Sequence, residues 1–382
     1  MKSIITILLL LASLLMACNP EKKDYKPIDN PHEVFSIENI DKDNFFEWEP
    51  KIKIEKIIPL ESNTNSFVGY LNKGVIIGDT IFIQDNRSHI LKSFNSDGKL
   101  LSQVGLKGKG PGEYHEMRDF MIVKDDIWCL DYKKMHCYDL KTGKFKYSVN
   151  IDIDSRLINP ISFLVLDSSN IYLWQSNPSS SSENDTKYCL LKYQNKKLSA
   201  SYFKWDHHSI DENRFYDGLN GSFIMRPIDG DYNIYKIDHD SLFLFFELDF
   251  KNKSLPPEYF ENHPENKNNE YYKSDYYKNI SNIFETENHI YFFCIGPDSY
   301  GYEGLIDKRN KKVTFGQHNF NVSPRIFYSD NNFLYGYYES RSFVTEIPAN
   351  KLRDFFKTIS TKLGKINLED NLVIVKFSIQ DN

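Results

Sequence analysis

The 382-residue sequence predicts an all-β fold, a six-bladed β-propeller of four-stranded antiparallel blades. The first observation is a motif that occurs twice between Gly78 and Lys144, each copy reading turn, apolar strand, Asp, polar loop, second strand, Gly turn and third strand. The second is composition: aromatic residues make up 15% of the chain, and Tyr and Phe favour pleated, half-buried surfaces. The third is spacing, because further apolar strands recur about every 40–50 residues, as expected of propeller blades.

The N-terminus predicts a lipoprotein signal peptide over residues 1–17. Lys2 is followed by an apolar run from Ile4 to Leu15, which is too short for a transmembrane helix. Ala17 then places a small residue just before Cys18, the pattern of a cysteine that is acylated and becomes the new N-terminus. We expect residues 18–50 to be the lipidated cysteine and a polar tether, and residues 51–382 to be the propeller. An ordinary signal peptide cleaved elsewhere is the alternative.

The strands of each blade, named A to D from the axis outward, can be placed along the chain. Lys51 to Leu60 alternates apolar and polar residues like a strand but has no nearby hairpin partner. Blade six lacks a fourth strand of its own, so we expect Lys51–Leu60 to pair with Asn371–Ile379 and close the ring. The second strands are Ile81–Ile83, Ile127–Cys129, Ile171–Leu173, Phe223–Met225, Ile290–Phe292 and Phe333–Tyr335.

Loop length distinguishes the two faces of the predicted propeller. The A–B and C–D connections are short turns with the Asp-Gly or Thr-Gly chemistry of tight hairpins. The B–C and D–A connections are long and share the opposite face; they include Gly105–Tyr114 and Ser340–Asp370. Within the second of these, Ala349–Ile359 has helical periodicity, so short helices are expected in the long loops. Elaboration of one face indicates that binding occurs there.

Charge and cysteine usage exclude several classes of function. A net charge of -6 gives no indication of nucleic-acid binding. Cys129, Cys137, Cys189 and Cys294 lack metal-ligand spacing, so neither a metal nor another cofactor is expected. We expect buried free thiols. A bridge between Cys129 and Cys137, which fall on adjacent strands, is the alternative.

Several segments resemble one known family. Ile81–Gly98, with its Asp-Asn-Arg-Ser-His core, resembles an NHL-type repeat. The loop Gly108–Tyr114, the Pro-Leu-Glu segment at 59–61 and residues 369–375 are similar to the six-bladed β-propeller (TolB-like/NHL-like) lipoproteins of Gram-negative bacteria. The resemblance covers nearly the whole mature chain. It implies the propeller fold and a lipid-anchored place in the cell envelope, at the outer membrane and facing the periplasm or the surface, but little chemistry.

Charged residues of the long loops are the candidate ligand-binding residues. Gly105–Tyr114 does not fit a phosphate-binding P-loop, because Pro111 stands where Lys and Ser or Thr are required, and a structural connector is the favoured interpretation. Solvated loop charges are the alternative for each candidate. The candidates are Arg87, His89, Lys109, Glu113, Arg118, Asp131, His136 and Arg341. No catalytic residue can be assigned, since the ring brings distant residues together.

The sequence therefore favours a lipid-anchored envelope module, held to the membrane by its N-terminus. It would bind an unknown protein, peptide or glycan on the long-loop face, and the sequence carries no catalytic signature. The alternative is a lyase or hydrolase that acts on glycans or peptides at the mouth of the central channel. A third hypothesis is a scaffold for an outer-membrane complex, which predicts an exposed apolar patch.

Overall fold

The described chain forms six antiparallel four-stranded blades in a ring, which confirms the predicted fold. The innermost strands of successive blades lie side by side around the axis. The computed structural model describes residues 26–28, 31–38, 44–48, 51–132, 134–151, 160–167, 169–175, 188–195, 197–204, 215–219, 223–225, 231–238, 241–256, 259, 273–320, 322–344 and 354–380.

The first two strands, β1 (Glu33–Ser36) and β2 (Ile52–Pro59), join blades whose other strands come much later in the chain. Blade one follows and consists of β3 (Leu71–Ile77), β4 (Thr80–Asp85), β5 (Ile90–Asn95) and β6 (Leu100–Val104). The glycine loop holds two short strands, β7 (Leu106–Lys107) and β8 (Glu113–Tyr114). Blade two consists of β9 (Asp119–Val123), β10 (Asp126–Asp131), β11 (Lys134–Asp139) and β12 (Phe145–Asn150).

The remaining blades follow in chain order. Blade three consists of β13 (Pro160–Val165), β14 (Asn170–Gln175), β15 (Tyr188–Gln194) and β16 (Lys197–Lys204). Blade four consists of β17 (Phe215–Asp217), β18 (Phe223–Met225), β19 (Asn233–Asp238) and β20 (Ser241–Asp249). Blade five consists of β21 (Lys278–Glu285), β22 (His289–Ile295), β23 (Gly301–Asp307) and β24 (Val313–Gln317). Blade six contains β25 (Arg325–Ser329), β26 (Phe333–Tyr338) and β27 (Val373–Ile379), with β2 at its outer edge.

Two helices, α1 (Arg341–Val344) and α2 (Asp354–Leu363), lie between β26 and β27. The predicted helix Ala349–Ile359 overlaps α2, which continues to Leu363, while residues 345–353 lie outside the described chain. Of the helices in the described chain, none has the length and apolar character needed to cross a membrane.

Strands from both ends of the chain close the ring, as predicted. β2 runs antiparallel to β27, with Ile58 opposite Ile374. The buried side chain of Asn371 extends the closure into blade one: its Oδ1 accepts a hydrogen bond from the Val68 amide at 3.0 Å, and its Nδ2 donates to the Glu61 and Ser66 carbonyls, each at 2.9 Å. Both ends of the chain are therefore fixed to the same sheet, which leaves no open edge between blades.

The folded part of the chain begins before Lys51, where the sequence placed its start. β1 adds to the outer edge of β20 in parallel, so that blade four has five strands. Phe45 then bridges to Gln317 at the edge of blade five, and the side chains of Phe46 and Trp48 are buried. Residues 33–38 and 44–48 thus contact blades four and five, while Cys18 and the rest of residues 1–25 lie outside the described chain.

All four cysteines of the described chain are buried and free, which confirms the favoured prediction. On the paired strands β10 and β11, Cys129 lies opposite His136 and Cys137 lies opposite Trp128. Because side chains alternate between the two faces of a strand, the two thiols point to opposite faces of the blade. A one-residue offset therefore prevents the bridge that adjacent strands suggested.

Candidate functional site

A cavity of about 830 Å³ occupies the central channel. Its described walls come from blades one, four, five and six, through the inner strands β3, β17, β21 and β25. It opens on the face of the long loops, because its lining includes Arg87 in the B–C turn of blade one and Arg341 just after β26. The lining is both charged and aromatic, and its exposed side chains include Tyr70 and Phe320.

An arginine–glutamate–arginine cluster forms the blade-six wall of this cavity. Arg325 Nη1 donates to Glu339 Oε1 at 2.7 Å, and Arg341 Nε forms an ion pair with Glu339 Oε2 at 2.5 Å. β25 and β26 create the arrangement, because Arg325 pairs with Tyr337, two residues before Glu339 and on the same face. Two guanidinium groups therefore contact one carboxylate.

A side pocket of about 250 Å³ adjoins the cluster. Its lining shares Phe320, Arg325 and Arg341 with the main cavity and adds Ser323. The Ser323 side chain is buried, and among the described residues its hydroxyl has no hydrogen-bond partner. The ring centroid of Phe320 lies 6.0 Å from the Arg325 guanidinium carbon. This pocket thus combines hydrogen-bond donors, positive charge and an aromatic ring.

Asp85 holds the blade-one wall in place. It accepts hydrogen bonds from the amides of Tyr70 and Arg87, each at 3.1 Å, and from the Ser88 hydroxyl at 2.6 Å. Burial is the largest influence on the pKa of Asp85 and raises it, but these hydrogen bonds together hold the pKa below its ordinary value. Within the described chain no acidic side chain pairs with the Arg87 guanidinium, which lines the cavity.

Deeper in the channel, a buried ion pair joins three blades. Lys73 Nζ lies 2.8 Å from Asp119 Oδ1, and Asp119 Oδ2 accepts from the Ser162 hydroxyl at 2.7 Å and the Phe163 amide at 3.1 Å. Asp217 faces the channel, where desolvation by the surrounding wall raises its pKa and Lys73 opposes the rise. The Asp217 side chain is exposed to the channel, so its carboxylate contacts solvent in the channel although protein surrounds it.

A second buried pair supports the aromatic wall. Nδ1 of His318 hydrogen-bonds to Oε1 of Glu303, and both residues are buried. The His318 ring contacts Phe293 and Phe320, with centroid distances of 5.7 and 4.6 Å, so the pair fixes two rings of the cavity. In the described part of the chain, no three His, Cys, Asp or Glu side chains are grouped so that they could hold a metal ion.

Of the eight residues predicted from the sequence, Arg87 and Arg341 line the cavity. Asp131 and His136 instead stabilise blade two: Asp131 accepts from the amides of His115 at 2.9 Å and Glu116 at 3.2 Å, and lies 3.6 Å from Nε2 of His136. This arrangement matches Asp85 and Lys92 in blade one, whose charged atoms are 3.7 Å apart. It is therefore a repeated structural feature of the motif.

The other four predicted residues also lie outside the described cavity lining. The Arg118 guanidinium stacks on Tyr132 at 3.9 Å and donates to the Pro160 carbonyl at 3.1 Å. Glu113 Oε2 accepts from the Gly110 amide at 2.7 Å and so closes the glycine loop on itself. Lys109 is exposed on that loop, and His89 occupies a turn position with a φ of 57°.

Five residues that line the two pockets were not predicted from the sequence: Arg325, Glu339, Ser323, Tyr70 and Phe320. In the sequence, Arg325 is only the first residue of a predicted strand, and Glu339 is one charged residue beside a long loop. A signal was present in the run from Tyr337 to Arg341, which places aromatic, acidic and basic side chains together at a strand end. Its meaning depends on the register of β25 and β26, which one sequence does not show.

The fold and the cavity define a six-bladed propeller with a charged, aromatic site at its axis. The chain belongs to the family described as "Domain of unknown function (DUF4934)", whose model matches residues 37–378. No curated protein matches the chain.

Two solved structures share the fold. A "Putative exported protein" from Bacteroides fragilis NCTC 9343 has a TM-score of 0.75 at 17% identity, covering 91% of this chain and 100% of that one. A member of the duf4221 family from Bacteroides vulgatus has a TM-score of 0.56 at 10% identity, covering 89% and 100%. At these identities the likeness shows the fold alone.

Proposed function

We propose that this chain is an exported, lipid-anchored propeller of the cell envelope that binds a ligand in the channel cavity. The observation that carries the proposal is the character of the cavity wall. Tyr70 and Phe320 leave 52% and 53% of their surface exposed, and both line the same concave site as three guanidinium groups. Exposed rings and a few polar groups converging on a concave surface are typical of ligand-binding sites.

Three observations support a place in the envelope. The N-terminal pattern ending at Cys18 is that of a lipoprotein signal. Several segments resemble the TolB-like/NHL-like lipoproteins, which are propellers of the same blade number. The similar structure from Bacteroides fragilis carries a name that describes an exported protein. We therefore place the anchor in the outer membrane, with the propeller facing the periplasm or the surface.

The distribution of charge favours binding over catalysis. Two enclosed pairs of ionic groups beside the cavity, Lys73 with Asp119 and His318 with Glu303, each interact within the pair. The groups that face the cavity are mainly rings and guanidiniums, which orient and hold a ligand. Such groups stabilise a bound molecule without needing to exchange protons with it.

An aromatic-rim experiment tests the binding site. We expect the Tyr70→Ala, Phe320→Ala double variant to bind its ligand from a glycan or peptide array about tenfold or more weakly than the unchanged chain. The matched control is Tyr147→Ala, which removes a ring of 46% exposure on β12, outside the described cavity lining. Both changes affect exposed side chains, so thermal unfolding should stay close to that of the unchanged protein.

The controls separate the possible outcomes of this experiment. An equal loss of ligand affinity in Tyr147→Ala would indicate that the ligand binds at the edge of blade two and not in the cavity. A folded, unchanged chain that captures nothing from either array would contradict the binding proposal.

The anchor is tested through Cys18. When the full chain is expressed in a Gram-negative host, we expect it to incorporate labelled palmitate and sediment with membranes, because dual or triple acylation gives stable anchoring. Cys18→Ser should abolish both the label and the sedimentation. Labelled Cys18→Ser protein, or an unchanged chain that stays in the soluble fraction, would contradict lipid anchoring.

A further inference from the structure

We propose that the main cavity binds a short peptide with free termini, holding its ammonium group at Asp217 and its carboxylate at Arg87. The inference rests on the proposed function, since it names the class of ligand for the same cavity. It is carried by three features of the described lining: opposite charges without partners on two facing blades, an inner strand with two bulges, and half-buried rings beside that strand.

The first charge is a carboxylate on the blade-four side of the cavity. Asp217 ends β17 and is exposed to the channel. Lys73 acts on it electrostatically, but the ammonium of Lys73 is already bonded to Asp119 at 2.8 Å. Within the described chain the Asp217 carboxylate makes no hydrogen bond or ion pair of its own, and burial by the channel wall raises its pKa. A ligand ammonium would supply the missing counter-charge.

The second charge is the guanidinium of Arg87 on the facing wall. Blades one and four are three positions apart in a ring of six, so they lie on opposite sides of the channel. The Arg87 side chain lies against Gly69, where a Cβ would be only 2.7 Å from Arg87 Cδ, so the glycine leaves the space that the arginine stem fills. In the described part of the chain no acidic side chain pairs with this guanidinium, whose planar fork matches a carboxylate. The two walls therefore suit a molecule with an ammonium at one end and a carboxylate at the other.

The second feature is the irregular inner strand β21. Its pairing with β22 shifts register twice, between Lys278 and Ser281 and between Ser281 and Phe284. Asn279 and Asn282 lie at these bulges with φ values of 55° and 51°, and both line the cavity. Bulges redirect side chains and are common beside functional sites. Asn282 is exposed, and its amide, which has no partner among the described residues, offers the donor and the acceptor that a peptide backbone requires.

The third feature is the pair of half-buried rings, Tyr216 and Phe293, which line the cavity together with the two asparagines. Such rings contact an apolar side chain between the two termini of a peptide. The combination selects a peptide over a saccharide. A neutral oligosaccharide would leave Asp217 and Arg87 both without a counter-charge, and an amino sugar alone or a uronic acid alone would compensate just one of them. A short peptide carries both charges at its ends and amide groups between them.

Calorimetric titration tests the inference on the purified protein. The probes are the tripeptide Ala-Phe-Ala with free termini, its N-acetylated form and its C-amidated form, with maltotriose as the neutral saccharide. We expect the free tripeptide to bind, and each blocked form to bind about tenfold more weakly. Asp217→Asn should weaken binding of the free tripeptide about tenfold but should not weaken the N-acetylated form further, because that form has already lost the ammonium contact. Arg87→Gln should show the same relation with the C-amidated form.

Asp79→Asn and Lys109→Gln are the matched controls. Each removes an exposed charge outside the described cavity lining and should leave the affinity for the free tripeptide unchanged. Asp217 and Arg87 are exposed as well, so thermal unfolding of the two test variants should stay close to that of the unchanged chain.

The contrary outcomes are specific. Equal binding of the free and blocked tripeptides overturns the inference, and so does equal or tighter binding of maltotriose. If Asp217→Asn weakened the free and N-acetylated forms by the same factor, the ammonium would not bind at Asp217 and the inference would be wrong. Failure of the free tripeptide to bind overturns it too. A chain that binds no tripeptide but captures a glycan from the array would retain the cavity proposal and lose this inference alone.

Discussion

Replacing Trp48 by alanine should lower the free energy of unfolding by about 3–5 kcal/mol, the usual cost of removing a large buried aromatic side chain. Trp48 is 2% exposed. Its ring centroid lies 4.9 Å from Phe46, 5.2 Å from Phe377 and 6.0 Å from Tyr291. These partners lie in the N-terminal segment, in β27 and in β22, so one side chain connects three parts of the chain that are distant in sequence.

Phe45→Ala is the matched control for this experiment. Phe45 belongs to the same segment, but 46% of its surface is exposed, so its loss should cost less than about 1 kcal/mol. Urea denaturation followed by circular dichroism measures both changes. Tyr291 also lines the cavity, so we expect Trp48→Ala to weaken the packing of the cavity wall as well. Similar losses for the two variants would show that the N-terminal segment is not part of the cooperative fold.

Ring closure was predictable because it depends on periodicity and on a missing partner. Lys51–Leu60 has the alternation of a strand but no hairpin neighbour, and blade six lacked one strand. The structure pairs Ile52–Pro59 with Val373–Ile379. β1 was not predictable in the same way: four residues add in parallel to β20, more than 200 positions later, without any turn to signal the pairing.

The candidate site was only partly predictable, and the repeats explain why. Asp85 and Asp131 occupy the same place in the repeated motif, and Lys92 and His136 lie opposite Ile83 and Cys129, two residues before each aspartate. The two aspartates accept hydrogen bonds from backbone amides and so stabilise the neighbouring loops. The side chains that face the cavity depart from the repeat. They are spread over several blades and meet only through the closed ring, which a linear pattern does not show.

Asp119→Ala should also cost about 3–5 kcal/mol, the usual effect of removing one partner of a buried ion pair. Asp119 is fully buried and carries the charge that balances Lys73, whose side chain is 17% exposed. The change also removes the acceptor of the Ser162 hydroxyl and the Phe163 amide, so buried donors remain unsatisfied. Lys73 belongs to β3, Asp119 to β9 and both donors to β13, so the loss acts on blades one, two and three together.

A double-mutant cycle identifies the cause of that loss. Lys73→Met keeps an apolar stem of similar length without the ammonium, so adding it to Asp119→Ala should recover part of the stability. Asp217→Asn is the control, because this carboxylate faces the same channel but is open to its solvent, and it should change stability by less than about 1 kcal/mol. If Lys73→Met restored nothing, the unsatisfied Ser162 and Phe163 donors would account for the whole loss. The channel would then be stabilised by its hydrogen bonds and not by its charge pair.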